Sequence, residues 1–147
     1  MTPSFGNIYC HKLSHINTDE CGAPEFYTGG GKLIALQGID GKITADELDQ
    51  SIGGKGIVHH TQPSSVSITQ VCETGEVYQI DEIKKISDVA HKHNLNMHMD
   101  GARFANALVS LDVTPAEMTW KVGIDVLSFG ATKTVSYTHL TLPTTPY

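Results

Sequence analysis

The chain has 147 residues, 39% of them hydrophobic and 18% charged, a globular balance that leaves room for one compact unit and argues against a disordered polymer. Ten basic against sixteen acidic residues give a net charge of −6, which disfavours a nucleic-acid backbone as partner but leaves open a local pocket for one small anion. No apolar run approaches the roughly 20 residues that span a bilayer, and the opening MTPSFGNIYC has neither a basic start nor a long apolar stretch, so a cytoplasmic protein without membrane contact is the expectation.

Ile8 to Cys10 reads as a short strand, followed by a polar stretch around a possible helical turn, and Lys32 to Leu36 is the next strand candidate. Thr44-Ala-Asp-Glu47 is a capping box that opens a helix, with Leu48 and Ile52 on its apolar face and Gly53-Gly54 as its end. Val66 to Cys72 alternates closely enough to be a strand rich in branched residues. From Asp81 to His93, Ile83, Ile86, Val89 and Ala90 recur at helical spacing, with Asn94 as the stop.

Leu95 to Asp100 returns to strand. Phe104 to Leu111 is a helix with Ala105, Leu108 and Leu111 on one side, and Thr114-Pro-Ala-Glu117 is a second capping box. Asp125 to Phe129 is the last strand. Strands alternating with helices predict an α/β fold with parallel pairing and right-handed crossovers.

In such sheets ligands gather at the carboxyl ends of the strands. Two of these ends carry chemistry. In H-M-D-G-A-R, Asp100 closes a strand, Gly101 permits a tight turn and Arg103 supplies a bidentate cation. In S-F-G-A-T-K, Gly130 and Ala131 leave space and Lys133 stands just past the strand. A lysine and a carboxylate on neighbouring strand ends are what a pyridoxal-phosphate site needs, one for a Schiff base and the other to keep the pyridine nitrogen protonated. Taken alone, each is an ordinary loop feature.

Other features carry less. GGGKL has Leu33 where a P-loop needs Ser or Thr, so it reads as a flexible loop. His59, His60, His91, His93 and His98 form no zinc spacing, and no metal is expected. Cys10, Cys21 and Cys72 are odd in number and widely spaced, which fits reduced thiols.

HINTDECGAPEFYTGG, TQVCETGEVYQIDEI, NMHMDGARFANALVSL and DVLSFGATK closely resemble the low-specificity threonine aldolases, fold-type-I pyridoxal-phosphate enzymes grouped with the β-eliminating lyases. The resemblance runs from Ile8 to Lys133. It implies that residues 1–133 are part of the large cofactor-binding domain of that fold, built on a mostly parallel sheet. Lys133 matches the Schiff-base lysine, Asp100 the partner of the pyridine nitrogen, and Arg103 an arginine that binds the substrate carboxylate. His15 matches the histidine that stacks on the cofactor and is a candidate for proton transfer. Glu20 matches a family glutamate but is equally suited to capping.

The implied reaction is retro-aldol cleavage of L-threonine or L-allo-threonine to glycine and acetaldehyde, in a homotetramer of the full-length parent. The alternatives are another β-eliminating lyase or aldolase of the same fold acting on a different β-substituted amino acid, and a non-catalytic interaction module. Family members also have an upstream phosphate-binding turn and a later second arginine that this chain does not match, so the chain by itself is expected to be inactive. Val135 to Tyr147 contains four threonines and two prolines but no Asp, Glu, Lys or Arg. Within it VSYTHLTLPT is similar to one reading frame of a transposase adapter used in sequencing libraries, so residues 134–147 are expected to be a non-native tail.

Overall fold

The computed structural model describes residues 1–130 and 133. Its strands are β1 (Gly6–His11), β2 (Lys32–Leu36), β3 (Gln62–Thr69), β4 (Asn96–Gly101) and β5 (Val126–Phe129). They form one sheet in the order β2-β1-β3-β4-β5, and every neighbouring pair is parallel. The helices are α1 (His15–Thr18), α2 (Ala23–Thr28), α3 (Ala45–Ser51), α4 (Ile80–Lys92), α5 (Phe104–Leu111) and α6 (Pro115–Met118), with a 3₁₀ turn at Trp120–Val122. The expected α/β class and parallel pairing are both present. The tail expectation for 134–147 lies outside the described residues.

The alternation V-S-I-T in β3 separates the two faces of the sheet. Val66 and Ile68, with Met97 and Met99 of β4, are buried in one cluster with Leu48 of α3 and Ile83, Ile86 and Ala90 of α4. Burying each of these side chains larger than alanine contributes about 1.5–3 kcal/mol, so this face holds the sheet to its helices. The other face is polar: Ser65, Ser67, His98 and Ser128 line a cleft with Ile16 of α1 and Ala23 and Pro24 of α2.

The chain steps from β1 to β2 in one direction and then runs through β3, β4 and β5 in the other. Right-handed crossovers therefore place α1 and α2 on one face and the later helices on the opposite one. The reversal leaves a crevice between the carboxyl ends of β1 and β3.

Several expected details differ. β3 begins at Gln62 and ends at Thr69, four residues earlier at its start than the alternation indicated and three earlier at its end. Thr44 accepts from the Glu47 N–H at 3.2 Å, yet the Glu47 carboxylate turns away to accept from the N–H groups of Gln37 (2.8 Å) and Gly38 (3.0 Å). Only half of that capping box forms, because a loop with unpaired amides competes for the carboxylate. The box at Thr114 and Glu117 is complete.

On α5 the fully buried side chains are Phe104 and Ala107, with Leu108 and Leu111 partly buried. The core-facing stripe is thus rotated from the expected Ala105 side. Among the described residues no helix is long and apolar enough to cross a membrane.

Candidate active site

Three strand ends meet at the crevice. After β1, a turn leads to α1, which begins at His15. After β4 comes Ala102, and after β5 come Gly130 and, three residues on, Lys133. His15, Glu20, Asp100, Ala102, Gly130 and Lys133 line one cleft of about 300 Å³. The structure thus brings together His15, Asp100 and Lys133, which lie 85 and 33 residues apart in sequence. Arg103 is not among the lining side chains; its Nη1 donates to the Val71 carbonyl at 3.3 Å.

Asp100 and His15 are oriented by their surroundings. Asp100 lies opposite Thr69 in β3 and Ser128 in β5. Its Oδ1 accepts from the Ala102 N–H at 2.9 Å, and among the described residues its second oxygen has no partner. His15 Nδ1 lies 3.1 Å from Glu20 Oε1. An ionised carboxylate can only accept, so Nδ1 carries a proton in this contact, and among the described residues Nε2 has no hydrogen-bond partner. The backbone N–H of His15 donates to Glu73 Oε1 at 2.9 Å.

Gly101 owes its place to space rather than to a turn. Its φ is not positive, but a Cβ there would meet Leu127 Cδ1 at 2.8 Å and the Ser128 carbonyl at 3.1 Å. The turn that follows, at Ala102 and Arg103, therefore forms without a left-handed Gly101, which serves instead the close approach of β4 to β5.

One layer below Asp100, on the same face, His98 bridges three strands. Its Nδ1 is 2.9 Å from Ser67 Oγ and its Nε2 2.8 Å from Ser128 Oγ. Burial pushes the imidazole below its ordinary value, against the opposing pull of Asp100 and Glu20, so the neutral ring is favoured. Sequence reading set His98 aside for want of a zinc spacing. Its position two residues before Asp100, on the same face of a strand, was the available signal. Glu73 left no comparable signal, since its contact with His15 spans 58 residues.

The sequence model of the family described as Beta-eliminating lyase matches residues 2–137. A low specificity L-threonine aldolase from Pseudomonas sp. (strain NCIMB 10558) is 47% identical over 130 residues, which are 88% of this chain and 38% of that protein. A low specificity L-threonine aldolase from Pseudomonas aeruginosa is 44% identical over the same shares. Among solved structures, a threonine aldolase from Leishmania major superposes with a TM-score of 0.66 at 31% identity, covering 71% of this chain and 30% of that one. The chain therefore spans about 38% of the length of the curated relatives it matches.

Proposed function

Because this chain belongs to the β-eliminating lyase family, whose members depend on pyridoxal phosphate, we propose that its cleft is the central part of a site for that cofactor, and that in the full-length parent this site serves retro-aldol cleavage of L-threonine or L-allo-threonine to glycine and acetaldehyde. The observation that carries the reading is the convergence of Lys133, Asp100 and His15 on one cleft at the sheet's reversal point. The donor set fits the group: an amine for its aldehyde, a carboxylate with one oxygen unengaged for its ring nitrogen, and an imidazole beside them. The small residues Ala102 and Gly130 leave room for a flat ring.

When bound, the cofactor supplies a sink for the electrons released from the Cα–Cβ bond. Lys133 anchors it through its amine. Asp100, steadied by the Ala102 N–H, holds the proton on the ring nitrogen and so sustains the sink. His15 takes the β-hydroxyl proton at Nε2, while Glu20 fixes the tautomer and offsets the charge that develops on the imidazole. Arg103 lies outside the cleft lining, with Nη1 on the Val71 carbonyl, so its other N–H groups would have to turn into the cleft to pair with the substrate carboxylate.

The test is a titration of the purified chain with pyridoxal phosphate, followed by its visible absorbance, with acetaldehyde measured after L-threonine is added to the full-length parent. Retention of lysine-bound cofactor that disappears in Lys133→Ala is the expected result. No absorbance change in the folded wild-type chain defeats the binding claim, and cofactor retention without acetaldehyde from the full-length parent defeats only the claim of threonine cleavage.

A further inference from the structure

We propose that Glu73 is a positioning residue for His15, clamping the imidazole-bearing turn across the crevice between β1 and β3; the consequence for catalysis rests on the function proposed above. His15 opens α1, whose N-cap residue Ser14 does not cap it: the Ser14 Oγ donates back to the His11 carbonyl at 2.6 Å. A serine at this position ordinarily accepts from the first turn. The first amide of the helix, the His15 N–H, which no N-cap side chain reaches, is met by Glu73 Oε1 at 2.9 Å, from the segment after β3.

The bond crosses the reversal point, since His15 follows β1 and Glu73 follows β3. His15 is consequently held twice, at its backbone by Glu73 and at ring Nδ1 by Glu20. The first contact sets where the residue stands and the second sets which way the ring faces. A four-residue helix has little intrinsic stability, so a turn of this length needs an outside tie if its side chain is to keep one place.

The second oxygen of Glu73 argues for more than capping. Oε2 is buried, and among the described residues it has no hydrogen-bond partner. A stranded carboxylate oxygen costs free energy that a serine or threonine capping the same amide would not incur. The negative charge also reaches Cys10, whose thiol is pushed up by burial first and then by Glu25 and Glu73.

The test compares Glu73→Ala and Glu73→Gln in the full chain by NMR. Exchange of the His15 amide should quicken at least about tenfold in Glu73→Ala and stay within about threefold of wild type in Glu73→Gln, because glutamine keeps the accepting oxygen. Exchange in the amides of β3 and β4 reports the fold, and should not change in either variant. In a second arm, affinity for pyridoxal phosphate should fall about fivefold or more in Glu73→Ala and recover in Glu73→Gln. If wild type binds no cofactor, the functional reading fails while the exchange arm still decides the clamp. Unchanged His15 exchange in Glu73→Ala, or acceleration spread equally through β3 and β4, overturns the proposal.

Discussion

Gly130 stands against Ala102 so closely that a methyl group on Gly130 would come within 2.9 Å of the Ala102 Cα. Carbon atoms approach to about 3.5 Å at best, and the obstacle is backbone, which cannot rotate away. The Gly130 N–H also donates to the Gly101 carbonyl at 3.2 Å, so the strand ends that carry Asp100 and lead to Lys133 are tied at this point. Gly130→Ala should therefore part the two ends. The expected outcome is a cofactor affinity at least about tenfold weaker in absorbance titrations, in a chain whose circular dichroism is unchanged. Wild-type affinity would show that the spacing has no bearing on the site.

Asp100→Asn separates charge from shape. The amide oxygen can still accept from the Ala102 N–H, as Oδ1 does now at 2.9 Å, but it offers no charge to hold a proton on a ring nitrogen. Lysine-bound cofactor should still form, whereas cleavage of L-threonine should fall by about 10²-fold or more. Equal turnover in the variant and wild type would remove Asp100 from the proposed role. The measurement is the initial rate of acetaldehyde release by the full-length parent at saturating cofactor.

Much of the sheet was legible in the sequence because period-two alternation and buried branched residues are local signals. β2 begins and ends where its apolar run does, and α5 where its helical spacing does. The strand ends bearing Asp100 and Lys133 were legible for the same reason. α1 and α2 were visible only as a possible helical turn, because they are short, polar and held largely from outside. The Glu47 carboxylate was assigned to its own helix and instead serves Gln37 and Gly38, a choice made by tertiary geometry. Glu73 and the serine partners of His98 were illegible for that reason too: each contact joins segments dozens of residues apart.

The three cysteines should differ in reactivity. Cys21 is exposed, while Cys10 and Cys72 are buried. Burial, with Glu25 and Glu73 nearby, raises the Cys10 thiol further from the thiolate form that attacks disulfide reagents. Titration with a chromogenic disulfide at neutral pH should therefore show one rapid equivalent in the folded chain and three in denaturant. Glu73→Gln removes one source of the raised value, so Cys10 should react faster in that variant if opening is equally frequent. More than one rapid equivalent in the wild-type chain would contradict the burial of Cys10 or Cys72.

His98 makes stability depend on pH in a defined direction. Its folded value lies below the ordinary 6.5, first because burial penalises the charged ring, with Asp100 and Glu20 pulling the other way. From 6.5 down to its folded value, the unfolded chain binds more protons at this site than the folded one does. Stability then rises with pH across that window and is lost as pH falls through it, with a slope of at most about 1.4 kcal/mol per pH unit for one proton. The half-buried setting reduces the slope through solvent screening. The depressed carboxyls of Asp49, Asp81, Glu117 and Asp125 act lower, below their ordinary range of 3.8 to 4.5, so the two windows are separable. Urea denaturation between pH 7.5 and roughly pH 5 should show a decline in wild type that flattens in His98→Gln, whose amide can still bridge Ser67 and Ser128 without titrating. A variant that keeps the full wild-type decline would assign the slope to another group and leave His98 only a role in stitching the strands beneath Asp100.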